Sequence, residues 1–299
     1  MPRDLPRKIK RLTASFAALL LVSGGSPAAA AETDSITRGA YLAAAAGCDQ
    51  CHTDVEHNGR LYAGGRELDT RFGRLFTPNI TPDPDTGIGR WGFADFERAM
   101  RWGIAPDDSH YRPAFPFPFY SRMMQNDLAD VVTFLSSVPA VSQLNRAADP
   151  GILSAALPRA ALAVLAQPFT GPWEADPAKE QSWNRGAYLV NAVARCGDCH
   201  TPRNWLGAPD FTRFLAGTRS GPRGKPVPNI TPDPESGIGK WSKGDIIALL
   251  KDGQMPDFDF VGGAMAAIVR NTSRLDDSDR GAIATYLRSL TPIRSEKLQ

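Results

Sequence analysis

Two pentapeptides constrain this chain more than any other feature: Cys48-Asp49-Gln50-Cys51-His52 and Cys196-Gly197-Asp198-Cys199-His200. Together they hold all 4 cysteines. Thiols at this spacing lie one helical turn apart and can reach the two vinyl groups of one macrocycle, and the adjoining histidine then falls beneath the iron. An even cysteine count in an exported protein would otherwise suggest disulfides. A thiol-redox pair needs a βαβ setting that neither motif has, and structural zinc could use two such clusters. The thiol-redox reading also gives the repeated histidine no role, whereas haem attachment makes it the proximal ligand. The expected cofactors are two covalently bound haem c groups, on Cys48, Cys51 and His52 and on Cys196, Cys199 and His200.

The motifs sit inside a longer duplication. Arg38-Gly39-Ala40-Tyr41-Leu42 precedes the first motif, and Arg185-Gly186-Ala187-Tyr188-Leu189 precedes the second. Downstream, Pro78-Asn79-Ile80-Thr81-Pro82-Asp83-Pro84 recurs as Pro228-Asn229-Ile230-Thr231-Pro232-Asp233-Pro234. Gly87-Ile88-Gly89-Arg90-Trp91 likewise recurs as Gly237-Ile238-Gly239-Lys240-Trp241. An internal repeat sets architecture before local structure does, and 25 Pro with 27 Gly favour short helices between shaped loops. The expected fold is all-α, with repeats at 35–140 and 183–292 and a connector at 141–182. In each repeat a first helix carries Tyr41 or Tyr188, a middle helix starts near Phe93 or Ser242, and a closing helix crosses the first. In the last helix Ile283, Tyr286, Leu287 and Leu290 form an apolar stripe. The apolar stretch Ile152 to Ala166 is too short to span a bilayer and is expected to pack as a helix. Asp83 and Asp233 are expected to be turn residues accepting backbone hydrogen bonds.

The N-terminus predicts export. Arg3, Arg7, Lys8, Lys10 and Arg11 precede an apolar run from Leu12 to Val22, and small residues follow to Ala31. Residues 1–31 read as a signal peptide cut near Ala30 or Ala31, which places the mature chain in the periplasm. That chain carries 29 basic and 31 acidic side chains, a net charge of −2. The basic precursor is therefore no argument for nucleic-acid binding, and at most peripheral membrane association is expected.

Methionine is the default sixth iron ligand, because only His57 and His110 lie outside the motifs and His57 is too close to His52 to reach around the macrocycle. The second repeat offers Met255 and Met265. The first offers Met123 and Met124, with His110 as an alternative and Met100 as a core residue. The repeat offset sets Phe115 opposite Met265.

The paired haem motifs, the PNITPDP and GIG-x-W loops and the Pro113-Ala114-Phe115-Pro116-Phe117 to Tyr120-Ser121-Arg122-Met123 segment resemble the cytochrome c subunits of membrane-bound alcohol and gluconate dehydrogenases. Within that family the chain is most similar to two-haem relatives. The resemblance implies two tandem class I cytochrome c-like domains with long loops wrapping the haem edges. It implies metal ligation by His52 and Met123 in one domain and by His200 and Met265 in the other. Asn79, Trp91, Asn229 and Trp241 become candidates for contact with the macrocycles, the indoles reaching propionates or packing on the rings. Arg74, Arg90 and Lys240 either neutralise propionates or are solvated charges. The implied role is electron transfer, not catalysis. A periplasmic quinoprotein or flavoprotein dehydrogenase would be the donor, and a cytochrome, terminal oxidase or quinone pool the acceptor. The alternative is a haem enzyme acting on a small molecule such as thiosulfate or peroxide. The domains are expected to dock with haem edges facing, as a short relay.

Overall fold

A computed structural model describes residues 27–70, 73–112, 114–150, 171–204, 208–221 and 224–295. Most of the expected signal segment and the apolar stretch Ile152 to Ala166 lie outside the described residues. In the first half, α1 (Pro27–Ala46), the one-turn α2 (Cys48–Cys51), α3 (Phe93–Trp102), α4 (Phe117–Tyr120) and α5 (Gln125–Ser137) follow in order. In the second come α6 (Gln181–Tyr188), α7 (Cys196–His200), α8 (Lys243–Asp252), α9 (Gly263–Thr272) and α10 (Asp277–Ser289). The middle helices begin where the sequence predicts. The Ser242 hydroxyl accepts the Asp245 N–H at 3.1 Å while the Asp245 carboxylate accepts the Ser242 N–H at 2.7 Å, a reciprocal cap. Gly92 lacks a hydroxyl, so only the Asp95 carboxylate half of that cap forms.

The halves differ in three places. Residues Glu67–Thr70 (β1) and Gly73–Phe76 (β2) form an antiparallel hairpin joined by Asp149–Pro150 (β3), a small sheet beside the helices of the described residues. A π turn at Leu189–Val193 links α6 toward the second motif. Third, α9 runs ten residues where α4 runs four. Pro116 and Pro118 remove donors there, whereas Gly263-Ala264-Met265-Ala266-Ala267 can continue helically.

The first and last helices of each half cross, as the repeat predicts, and each crossing point is a glycine. A Cβ on Gly39 would stand 2.0 Å from the Asp130 carbonyl oxygen, and one on Gly186 would stand 2.0 Å from that of Ala282. Beside each glycine an arginine pairs across the crossing, Arg38 with Asp130 at 2.7 Å and Arg185 with Asp279 at 2.7 Å.

The tyrosine of the same repeat docks the halves to each other. Tyr41 donates to the Asp279 carboxylate at 2.7 Å and accepts the Asp276 N–H at 3.0 Å. Reciprocally, Tyr188 donates to Asp127 at 2.5 Å and accepts the Met124 N–H at 3.2 Å. The same contact made in both directions is the mark of a pseudo-two-fold interface. Burial pushes Asp279 up, but hydrogen bonds from Arg185 and Tyr41 outweigh it and hold the carboxyl below its ordinary pKa. Asp127 gains only the tyrosine by hydrogen bonding, and burial raises it. One core runs through the interface, with Leu42, Met123 and Leu135 from one half and Val190, Ile283 and Leu287 from the other.

Candidate haem sites

Each motif is a helical turn entered through a left-handed residue, Gly47 at φ 71° and Arg195 at φ 45°. None of the four cysteines pairs in a disulfide. Burial pushes Cys48 and Cys196 up to about 12 and Cys199 up to about 11. A thiol-redox pair needs the opposite shift, toward a reactive thiolate. Among the described residues no cluster of three or more His, Cys, Asp and Glu gathers as a metal cage.

The histidines are held in one way. The Nδ1 of His52 lies 2.8 Å from the Pro78 carbonyl, and that of His200 lies 2.8 Å from the Pro228 carbonyl. A carbonyl only accepts, so Nδ1 carries the proton and Nε2 keeps its lone pair for iron. Burial lowers both imidazole pKa values, against the opposing carbonyl bond, which favours the neutral ligand form. The carbonyls are delivered by close loop crossings. Gly64 (φ 75°) and Gly217 (φ 79°) donate to the carbonyls of His52 and His200 at 2.8 and 2.7 Å. A Cβ at Gly64 would meet the Pro78 carbonyl carbon at 2.4 Å, and one at Gly217 the Asn229 nitrogen at 2.6 Å. Paired thiols one turn apart beside a tautomer-fixed imidazole fit a covalently attached haem in both halves. The group would supply reversible one-electron chemistry, with its potential set by axial ligand, burial and neighbouring hydrogen bonds.

The asparagines correct one expectation. Asn79 and Asn229 are 2% and 3% exposed. The Asn79 oxygen accepts the Thr81 N–H and hydroxyl at 2.9 and 2.8 Å, and its amide donates to the Val141 carbonyl at 2.7 Å and to Thr86 at 3.1 Å. Asn229 does the same with Thr231, the Ile293 carbonyl and Ser236. With their hydrogen-bonding capacity used inside the loop, they shape it and offer nothing to a macrocycle. Val141 and Ile293, one residue beyond the expected repeat ends, close the loops. Asp83 and Asp233 accept the Thr86 and Ser236 N–H groups at 2.7 Å, as turn residues should. Trp91 and Trp241 pack on the main core. Arg74, Arg90 and Lys240 pair with Asp149, Asp85 and Glu235 at the surface, so each reads as a solvated charge.

The thioether candidates occupy unlike places. Met265 lies half-buried in the first turn of α9, and Met255 lies half-buried in a turn where its N–H binds the Asp259 carbonyl at 2.8 Å. Met123 is 0% exposed, inside the core at the start of α5, while Met124 is exposed. Phe115 stands edge-on to Tyr111 at 5.5 Å and tilted on Tyr120 at 5.8 Å.

Sequence reasoning missed Arg195. Its Nε donates to the Tyr120 hydroxyl at 2.9 Å and its guanidinium to the Ala46 carbonyl at 3.3 Å, two residues before Cys48. It also pairs with Asp198 inside the second motif at 3.1 Å. One buried cation thus ties the two motifs together, aided by the Arg274–Asp49 pair at 2.8 Å. The available signal was a repeat mismatch: the left-handed position preceding the motif is glycine in one half and arginine in the other. Arg195→Gly keeps the backbone geometry and removes the clamp. It is expected to cost about 2 kcal/mol, from lost charge-assisted hydrogen bonds less relieved strain, read as a lower denaturation midpoint of the loaded protein.

The cytochrome c family profile matches residues 184–291. Over 281 residues the chain is 42% identical to a "Diheme cytochrome c-type" of Cereibacter sphaeroides, covering 87% of this chain and 88% of that one. It is 38% identical to the fructose dehydrogenase cytochrome subunit of Gluconobacter japonicus, over 91% of this chain and 55% of that one. It is 33% identical to the gluconate 2-dehydrogenase cytochrome c subunit of Pantoea cypripedii, over 85% of this chain and 59% of that one. The chain therefore spans less than two thirds of either dehydrogenase subunit. The motif geometry and these likenesses agree: this chain belongs to the c-type cytochrome family that holds the dihaem cytochromes and the cytochrome subunits of alcohol, fructose and gluconate dehydrogenases.

Proposed function

We propose that the chain is a periplasmic dihaem electron carrier of two tandem cytochrome c domains, residues 35–140 and 183–292. It takes electrons from a dehydrogenase and passes them to a downstream cytochrome, oxidase or quinone pool. His52 and His200 are the proximal ligands, and Met265 completes the second iron. The observation that carries this reading is the pair of Cys-x-x-Cys-His turns, each with its histidine Nδ1 bound to a proline carbonyl and both tied to Arg195. Docking through Tyr41 and Tyr188 supports a relay within one body over two independent carriers. Among the described residues no helix is long and apolar enough to cross a membrane, which suits a peripheral partner of a dehydrogenase. Dissimilar surroundings of the two irons would separate their potentials and set a direction of flow.

Intact mass after periplasmic expression is expected to show a chain starting near Glu32 plus two haem masses. A redox titration of the same material is expected to need two midpoints. One haem, or none, would defeat the dihaem reading. Identical midpoints with slow exchange between haems would defeat the relay and leave the carrier.

A further inference from the structure

We propose that Arg195 is a cation shared by the two haems, and that its charge raises both reduction potentials together. This rests on the two-haem reading above and goes beyond it by assigning a residue that sets the potentials.

Covalent attachment ties the position of this charge to the cofactors. A haem held by two thioethers keeps one edge of its macrocycle at the two sulfurs, whatever the tilt of the ring. A charge beside the attachment turns is therefore beside the macrocycles. Arg195 directly precedes Cys196, and its guanidinium pairs at 3.1 Å with Asp198, which lies between Cys196 and Cys199. Across the interface the same guanidinium donates to the Ala46 carbonyl at 3.3 Å, and its Nε donates to the Tyr120 hydroxyl at 2.9 Å. That hydroxyl in turn donates to the Ala46 carbonyl at 3.0 Å. One cation thus stands against the entry to the first turn and against the second turn itself. Burial raises Cys48, Cys196 and Cys199, and at each of them the Arg195 charge pulls the other way.

The neighbouring charges decide the sign. Asp198 also pairs with Arg203, so one carboxylate faces two guanidinium groups. At the first turn Asp49 pairs with Arg274 at 2.8 Å, and Arg66 donates to the Gln50 carbonyl. Burial holds the Tyr120 phenol above its ordinary pKa, so it meets Arg195 as a neutral acceptor. Both turns therefore carry an excess of positive charge, and Arg195 is the cation that touches both. Its side chain is 13% exposed, where water and salt screen it weakly. An arginine stays charged throughout. Reduction adds one electron to a haem, so a fixed cation beside it favours the ferrous form.

The test is a redox titration, followed by visible spectra, of the periplasmically expressed two-haem protein and its variants. Arg195→Gly installs the residue found at the matching position of the first half, keeps the left-handed backbone and removes the charge. Both haems should become harder to reduce. Each ferrous-to-ferric ratio at fixed potential should fall about tenfold, the order of one unit charge at a weakly screened site. For one electron that is a midpoint lower by about 59 mV. Arg195→Lys keeps the charge without the guanidinium fork and should recover most of both shifts, which a purely structural clamp would not do. Arg66→Gln, which touches the first turn alone, should lower one midpoint only. If Arg195→Gly does not accumulate with two haems, Asp198→Asn carries the test with the opposite sign. Loss of that counter-charge should raise at least one midpoint, and unmoved or lower midpoints there overturn the proposal. Unmoved midpoints in Arg195→Gly, a fall in only one of them, or equal shifts in Arg195→Gly and Arg195→Lys overturn it as well. Fewer than two haems by mass in the parent protein would overturn the two-haem reading instead.

Discussion

Met265→Ala is expected to abolish the weak red charge-transfer band of the second His/Met iron. The substitution removes the sole thioether at that place in α9 and leaves the His200 bond to Pro228 intact. The iron then loses a ligand that favours its ferrous state, so the second midpoint falls. The drop should be a sizeable part of the roughly 0.8 V over which axial ligation tunes haem potentials. The first midpoint should move little, since Met265 belongs to the other half. A redox titration with band-resolved spectra reads both effects. An unchanged red band would return the ligand to Met255, ten residues earlier in the turn closed by Asp259.

Gly186→Ala and Gly39→Ala should each destabilise the protein by roughly 3 kcal/mol or more, read as a lower chemical-denaturation midpoint of the loaded protein. In an open helix the same change would stabilise by about 1 kcal/mol, through reduced backbone entropy in the unfolded chain. Here the sign reverses, because the added methyl would stand 2.0 Å from a carbonyl oxygen of the crossing helix. That atom is backbone and cannot swing aside. Overpacking a core costs about 1–3 kcal/mol where side chains can adjust, and the adjacent Arg185–Asp279 or Arg38–Asp130 pair would be pulled apart as well. An unchanged midpoint would mean that the helices can separate, and with them the docking made by Tyr41 and Tyr188.

The local order of the amino acids was enough to determine the haem-attachment turns, the duplication, the crossing helices and the Asp83 and Asp233 turns. Each of these is written in spacings a few residues long. It also marked Phe115 as a position without a donor, through the repeat offset alone. What it could not determine depends on chain segments far apart. Asn79 and Asn229 look like haem contacts until Val141 and Ile293 arrive, more than 60 residues later, to take their amides. Met123 lies fully enclosed in the core just before α5, a depth that its short motif did not disclose. Arg195 is one unmatched residue in a repeat until folding brings Tyr120 and Ala46 beside it. Short-range spacing sets which atoms a turn can offer; only tertiary packing decides which of those atoms are already taken.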